Sequence, residues 1–394
     1  MSTAQEPSGT VVHEVRWAEA LPWWILFRAA GAAFSPTVIL LAALGALATW
    51  AGWSAADQLG LSGLDPAADV IAAAKAGDLT LALPDGAPAG RDPLLPSGRA
   101  VPWLGGLVDR LPPVAADVVR LVAVPFRPSA TLTQSVGALA RVGWFLLVWS
   151  IFGTAITRHV ALKLVDEDAP GLVGATLFGS RKWTSAFNSA LFVLVGIVAL
   201  AVPGALLGLL MRTGWGLALA GAVWPLVLAG AVVLAILAVG LVAGWPLMVA
   251  AVGVERGDSF QAISTAFSYL YQRPLHYAFC AAVALVVALP ALAVAGVFAD
   301  LTGTFAMWAA SFGMGHARTG EVLRGLAATG PMADAWGVRA IGFWTRGLAQ
   351  LLSSFGWGYF WSIATAAYLV LRRDVDGTEL DEVVIDEPGE SAAR

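Results

Sequence analysis

The feature that most constrains this chain is a run of 42 residues, Thr213 to Val254, without a single Asp, Glu, Lys or Arg. A helix on the surface of a soluble protein needs a polar face, whereas about 20 apolar residues suffice for a helix to cross the hydrocarbon layer of a bilayer. In lipid the backbone must satisfy its own hydrogen bonds, so such runs form helices. Four more runs without Asp, Glu, Lys or Arg are long enough to cross a bilayer: Ala29 to Ala56, Trp183 to Met211, Pro274 to Ala299, and Gly347 to Leu371. We therefore predict an all-α fold, a polytopic transmembrane helical bundle.

Charge supports this class. Only 13% of the residues are charged, against about 25% in soluble domains, and they cluster between the apolar runs. The single cysteine, Cys280, excludes a disulfide within the chain. The four histidines are scattered without the spacing of metal ligands.

We predict six spans, with 213–254 counted as one long tilted span rather than two. A seventh span would place the downstream basic loops on the other side of the membrane. The predicted segments are a cytoplasmic and interfacial N-terminus (1–28), a first span (29–52), an extracytoplasmic cap loop rich in Pro and Gly (53–134), a five-span bundle (135–371), and an acidic cytoplasmic tail (372–394).

Orientation follows from the basic residues of the short loops, which are enriched on the cytoplasmic side. Placing both termini in the cytoplasm puts ten such residues inside and five outside. We therefore expect a multi-pass membrane protein with both termini in the cytoplasm. Six of the ten set this topology most directly: Arg158, Arg181, Lys182, Arg273, Arg372 and Arg373.

Two charged loops resemble each other at an offset of 92 residues. Arg181 and Arg273 each precede a Phe by six positions, and each follows an acid, Asp166 or Asp258, by 15 positions. A short amphipathic segment lies between acid and Arg in both loops, which predicts a repeated unit of span, surface helix and span. The predicted repeats cover about 135–211 and 226–300, their surface helices 172–178 and 260–270, and a third echo joins Trp149-Ser150-Ile151 to Trp361-Ser362-Ile363.

Three stretches carry a resemblance: 153–158 (GTAITR), 262–274 (AISTAFSYLYQRP) and 371–383 (LRRDVDGTELDEV). They look like a family of bacterial polytopic membrane proteins to which no activity is assigned. More loosely, the span–surface helix–span unit is similar to the membrane domains attached to some glycerophosphodiester phosphodiesterases. The resemblance covers the spans from about residue 135 onward and implies a helical membrane fold in a bacterial cytoplasmic (inner) membrane. It implies no catalysis, because this chain lacks a phosphodiesterase domain.

Arg141, in the outer part of the second predicted span, and Asp300, at the end of the fifth, are candidates for an intramembrane ion pair. A cation near the membrane is costly unless it is paired or reaches the headgroups. The alternative is that Arg141 extends to the outer headgroups and Asp300 is solvated.

Prolines are the second set of candidates. Interrupted helices expose backbone groups that bind substrate in transporters, but prolines are also ordinary in membrane helices, where neighbours satisfy the freed groups. The predicted helix breaks are Pro203, Pro246 and Pro290, and Pro225 lies in a similar position.

The tail from Asp374 to Glu390 holds eight acids and no base. Such a segment is either a docking peptide for a basic cytosolic protein or a disordered, solvated tail.

No zinc-protease, paired-cysteine, serine-hydrolase or phosphate-loop motif is present. The sequence therefore predicts no catalytic, cofactor or metal residue, and the lack of basic stripes with aromatic residues argues against nucleic acid as a partner. Two functions remain, a membrane scaffold or transport-accessory subunit and a permease-like bundle for a lipid or small neutral solute. A solvent-lined cavity bordered by Pro203 and Pro290 would favour the permease.

Overall fold

The computed structural model describes residues 21–61, 131–327 and 336–379, together with the single positions Val118, Leu121, Val122, Val124 and Val383. Within these residues every regular element is helical, beginning with a 3-10 turn at Pro22–Trp24. The α-helices are α1 (Ile25–Ala33), α2 (Pro36–Gln58), α3 (Leu132–Leu164), α4 (Leu172–Leu210), α5 (Gly214–Glu255), α6 (Ser259–Gln272), α7 (Pro274–Ala327), α8 (Trp336–Ser353) and α9 (Phe355–Asp376).

Five of the described helices, α2, α3, α4, α5 and α7, are long and apolar enough to cross a membrane. The prediction of a helical, membrane-embedded chain is confirmed at this level. The uncharged run that opened the sequence analysis forms one continuous helix, α5, of 42 residues. At 1.5 Å per residue it is about 63 Å long, and no break divides the run into two helices.

The predicted first span is wrong in its boundaries. Ser35 has an extended backbone (ψ 134°) and Pro36 opens α2, so the chain breaks between α1 and α2. Proline disfavours the helical conformation of the residue before it, which places the break at Ser35. At its other end α2 continues to Gln58, six residues beyond the predicted boundary at residue 52.

The predicted fifth span ends at Ala299, but α7 continues to Ala327 with one non-helical residue, Gly315. Gly315 has φ of 73°, a left-handed conformation that glycine adopts without steric cost. The predicted sixth span is divided at Ser354 into α8 and α9.

The predicted repeat differs between its two copies. The surface segment of the first copy, 172–178, is not a separate helix but the first two turns of α4. In the second copy a separate helix, α6, ends at Gln272, because Pro274 starts α7 and Arg273 adopts a non-helical conformation. The same spacing of Arg and Phe therefore accompanies two different backbones.

Most of the predicted cap loop, 53–134, and most of the predicted tail, 372–394, lie outside the described residues. Residues 53–58 belong to α2 and residues 372–376 to α9. Among the few described positions inside the predicted loop, Val118 and Leu121 are helical, and Leu121 packs with Val124 against Ala138 of α3.

Glycine permits close contact between the central helices. A Cβ on Gly153 of α3 would lie 2.9 Å from the Trp361 ring of α9, and a Cβ on Gly253 of α5 would lie 2.1 Å from Thr157 Oγ1 of α3. Helices in membranes approach one another at small residues because packing, rather than hydrophobic burial, drives their association. Helices α3, α5 and α9 therefore form the packed centre of the bundle.

Candidate functional site

A polar junction forms where α5 ends. Glu255 is the last residue of α5, and its carboxylate accepts hydrogen bonds from the Tyr368 hydroxyl of α9 and from Gln261 Nε2 of α6, the latter at 2.9 Å. Arg372 Nε of α9 lies 3.3 Å from Glu255 Oε1. The Glu255 and Arg372 side chains are only 16% and 11% exposed, so this is a charge-assisted contact shielded from water. We call Glu255, Gln261, Tyr368 and Arg372 the polar junction.

A second contact joins α6 to the end of α9. The Tyr269 hydroxyl donates a hydrogen bond to Asp376 Oδ2, and the Tyr269 and Tyr368 rings lie 5.5 Å apart. Burial, followed by the hydrogen bond to Asp376, raises the pKa of Tyr269 well above its ordinary value. Tyr269 is therefore held as a protonated donor to this carboxylate.

A third contact holds Asp374, two residues before Asp376. Its Oδ2 lies 3.2 Å from Arg273 Nε and 3.0 Å from His276 Nδ1, at the boundary between α6 and α7. Three acids, Glu255, Asp374 and Asp376, are thus bound by groups of neighbouring helices. The sequence analysis did not single out Glu255, although it is the charged residue that ends the 42-residue uncharged run.

The predicted topology-setting bases surround this same end of the bundle. Arg158 is buried, with its guanidinium 5.2 Å from the centre of the Phe178 ring and 3.5 Å from the Gly253 carbonyl oxygen. Lys182 Nζ donates to the Arg256 carbonyl at 2.6 Å. Arg181 and Arg373 are the chain neighbours of Lys182 and Arg372, and Arg273 binds Asp374 as described. The six bases therefore gather at the end of the bundle that holds the polar junction.

The predicted pair between Arg141 and Asp300 is wrong. Arg141 is 3% exposed and its guanidinium binds Asp57, near the end of α2, and the Leu61 carbonyl at 3.2 Å. Asp300 is exposed, in the middle of α7. Sequence analysis missed Asp57 because the prediction ended the first span at residue 52, whereas α2 continues to Gln58. Trp53, four residues before Asp57, donates to the Arg141 carbonyl at 3.2 Å and lies on the same side of α2.

The predicted helix breaks are also wrong. Pro203 lies inside α4, Pro225 and Pro246 inside α5, and Pro290 inside α7, and the helices continue through all four. Pro203, Pro225 and Pro290 are exposed, and Pro246 is half-buried. Pro203 and Pro290 therefore face outward and do not border an interior site.

A cluster of five aromatic rings, the tryptophan cluster, fills the centre of the bundle. Trp149 of α3 stacks on Trp357 and Trp361 of α9, with ring centres 4.6 and 6.0 Å apart. Trp245 of α5 meets Trp361 edge-on at 5.4 Å, and Phe145 lies 5.6 Å from Trp357. The tryptophans of the motifs Trp149-Ser150-Ile151 and Trp361-Ser362-Ile363 thus lie against each other at this cluster.

Several polar atoms of this region have no hydrogen-bond partner among the described residues. A donor or acceptor buried without a partner costs about 1–3 kcal/mol, although an indole N–H edge-on to another ring recovers part of this. The atoms are Nε1 of Trp149, Trp245 and Trp361, Oγ of Ser150 and Oγ1 of Thr154.

Across the described part of the chain, no three His, Cys, Asp or Glu side chains come close enough together to hold a metal ion. The chain matches no protein-family model, no curated protein and no solved structure. Its function is therefore inferred from the contacts of its own residues.

Proposed function

We propose that this chain is a non-catalytic integral membrane protein, a scaffold or transport-accessory subunit that presents its acidic tail to a basic cytosolic protein. The observation that carries the proposal is the attachment of the end of α9. Asp374 and Asp376 are bound by Arg273, His276 and Tyr269 of the α6–α7 segment. The tail therefore starts from a fixed point on the bundle.

The described residues show that α9 ends before Gly377 and that the chain packs against the core once more at Val383, which is 8% exposed. Gly377, directly after α9, has φ of 71° and ends the helix in the left-handed conformation typical of a C-terminal glycine. Asp374 and Asp376 are held by the bundle, and the six acids that follow, from Glu379 to Glu390, have no base among them. A segment of this charge attracts a basic surface over about a Debye length, near 8 Å at physiological salt.

The proposed topology has six spans, with both termini in the cytoplasm of a bacterial cell. Helix α9 is the sixth span: it is buried over most of its length, and its many Trp and Tyr residues lower its hydropathy relative to the five apolar helices. The gathering of six bases around the polar junction supports placing this end on the cytoplasmic side.

A scaffold accounts for the interior better than a transported solute does. Aromatic rings fill the centre, and the charged groups of the polar junction bind each other. A pathway for a solute needs polar groups that line it and stay available. Pro203 and Pro290, which would have bordered such a pathway, are exposed on the outside of the bundle.

Purification in a gentle detergent, with mass spectrometry of the proteins that remain bound, tests the proposal. Three forms are compared: the full chain, a chain ending at Glu379, and a full-length chain with Asp381, Glu382, Asp386 and Glu387 changed to Asn or Gln. The truncation keeps the described hydrogen bonds and ion pairs of α9 but removes Val383, which is buried in the core, so the neutralised full-length chain serves as the control for packing. A stoichiometric partner that is lost from both altered forms supports the proposal. A chain that carries no protein partner, or one that the neutralised tail retains, overturns it.

A second candidate function is the permease-like bundle for a lipid or small neutral solute. The five polar atoms around the tryptophan cluster favour it, because a neutral molecule with hydrogen-bonding groups would satisfy them. Mass spectrometry of small molecules in the same preparation tests this candidate. One defined compound, lost in Trp361→Phe and retained in the tail variants, would make the permease the working function.

A further inference from the structure

The chain folds into a short helical hairpin after the non-helical residue Gly315. Its first arm is the part of α7 from residue 316 to 327, and its second arm is α8. The arms touch where Val322 and Gly325 are buried and where a Cβ on Gly342 would lie 3.3 Å from Leu326 Cδ2. We call this pair the amphipathic hairpin.

One face of α8 carries large aromatic side chains that nothing in the described chain covers. Trp336, Phe343 and Trp344 are 81%, 64% and 73% exposed. Phe343 and Trp344 follow Trp336 by seven and eight positions, so the three side chains lie on one side of the helix, while Gly342 lies toward the first arm. Tryptophan concentrates at the boundary between hydrocarbon and headgroups, where its ring is buried and its N–H is hydrated.

The hairpin is also strongly basic. Its described residues include four exposed arginines and one acid, Glu321, which Arg318 binds at 2.7 Å. The described residues of the two arms thus carry a net charge of +3, from four arginines minus one glutamate. The arginines are Arg318 and Arg324 on the first arm and Arg339 and Arg346 on the second.

The basic and aromatic groups are adjacent on α8. Arg339 and Arg346 are seven residues apart, so they form a row along the helix, about 60° from the row that Trp336 and Phe343 form. A helix with aromatic residues on one side and arginines at the margin is suited to lie at the surface of a bilayer. The planar guanidinium binds two oxygens of a phosphate at once.

We propose that the amphipathic hairpin is a binding surface for anionic phospholipids. Trp336, Phe343 and Trp344 enter the boundary of the hydrocarbon layer, and Arg339 and Arg346 bind the phosphates of the headgroups. The ligand is a lipid rather than free phosphate, because the aromatic face needs acyl chains beside the phosphate. The surface is independent of the tail and of the function proposed above.

Depth measurement tests the aromatic half. In a Cys280→Ser background, which leaves no other cysteine, single spin labels are placed by Trp336→Cys, Phe343→Cys and Trp344→Cys, with Thr345→Cys as the matched control on the opposite side of α8. In nanodiscs of phosphatidylglycerol and phosphatidylcholine, the first three labels should meet oxygen more readily than a water-soluble nickel chelate, and the fourth the reverse. Equal exposure of all four labels to the chelate overturns the proposal. So does strong spin–spin broadening, which would identify a second copy of the chain as the occupant.

Lipid retention tests the basic half. The protein in detergent is titrated with phosphatidylglycerol or with phosphatidylcholine, and bound lipids are counted by native mass spectrometry. Each arginine near an anionic surface changes binding about fivefold, so Arg339→Gln with Arg346→Gln should weaken phosphatidylglycerol retention by about 25-fold. Arg212→Gln, an exposed arginine between α4 and α5, is the matched control and should leave retention unchanged. Equal retention of both lipids, or no difference between the double variant and the control, overturns the proposal.

Discussion

Replacing Gly253 with alanine tests the contact between α3 and α5 that positions the polar junction. The new Cβ would lie 2.1 Å from Thr157 Oγ1 and 2.8 Å from Thr157 Cβ, whereas ordinary contact begins at 3.4 Å. Thr157 is fully buried and its hydroxyl donates to the Thr154 carbonyl at 3.0 Å, so the side chain has little room to turn away. The helices must separate by about 1 Å, and overpacking of this kind costs about 1–3 kcal/mol.

Gly230 offers a matched control in the same helix. A Cβ there would meet nothing within 4 Å, and alanine is favoured over glycine inside a helix by about 1 kcal/mol. Gly230→Ala should therefore leave the free energy of unfolding unchanged or raise it, whereas Gly253→Ala should lower it. Opposite signs for one substitution in one helix separate close packing from helix propensity.

The single cysteine provides the assay. Cys280 is buried in α7, and a fluorogenic maleimide labels it only when the bundle opens. Where reclosing is faster than labelling, the labelling rate follows the population of the open state. A loss of about 1–3 kcal/mol therefore accelerates labelling about 5- to 150-fold, and circular dichroism during thermal unfolding shows whether the opening is global.

Thr157→Ala in the Gly253→Ala background removes the nearest clashing atom and should recover part of the lost stability. The remaining distance of 2.8 Å between the two Cβ atoms prevents full recovery. Equal labelling rates for Gly253→Ala and Gly230→Ala would refute the close approach of α3 and α5. The placement of Glu255, two residues further along α5, would then need revision.

Three further predictions concern the other contacts. Asp57→Asn should lower the unfolding temperature measured by circular dichroism, because it leaves the buried Arg141 without its carboxylate. Since Asp57 is 60% exposed, the loss of stability is about 1 kcal/mol. Asp300→Asn is the control and should leave the unfolding temperature unchanged. Trp361→Ala removes the centre of the tryptophan cluster and should cost about 3–5 kcal/mol, measured by Cys280 labelling. The raised pKa of Tyr269 means that its stabilising contribution is complete below pH 10 and is lost only as the pH rises toward the raised pKa, so Tyr269→Phe should show the same tyrosinate absorbance at pH 11 as the unmodified protein.

The helical membrane class could be predicted because it depends on the length and apolarity of single segments. The boundaries could not, because apolar residues end before the helix does. Helix α2 continues through Asp57, whose carboxylate binds Arg141 of α3. Hydropathy places such a residue in a loop, since its partner lies 84 positions away in the sequence.

The error in the prolines has a different physical cause. Inside a membrane bundle a proline removes one backbone hydrogen bond, and neighbouring groups compensate for it. At Ser35 and Arg273 the residue before a proline does leave the helical conformation, and there the chain breaks. The sequence does not distinguish these cases, because the outcome depends on whether the flanking segments gain more by staying aligned or by turning back.

The polar junction could not be predicted from the sequence either. Glu255 closes an apolar run, and Tyr368 and Arg372 lie more than a hundred residues later, so only the packing of α5 against α9 brings them together. Its residues are ordinary for helix ends. What makes them a candidate site is that three helix ends supply complementary groups at one place.

The two parts of α5 show why hydropathy does not identify the core of a membrane protein. Both parts are apolar, yet 244–254 is almost entirely buried whereas most side chains of the longer part, 214–243, are exposed. A bilayer about 30 Å thick covers only about half of this helix. The difference lies in shape. The buried part contains Trp245, Met248 and the closely packed Gly253, while the exposed part presents side chains that any acyl chain can contact. Exchanges among Leu, Val and Ile in 217–239 should therefore be tolerated, because acyl chains adapt to a change in side-chain shape. The helices packed against 244–254 do not adapt in this way.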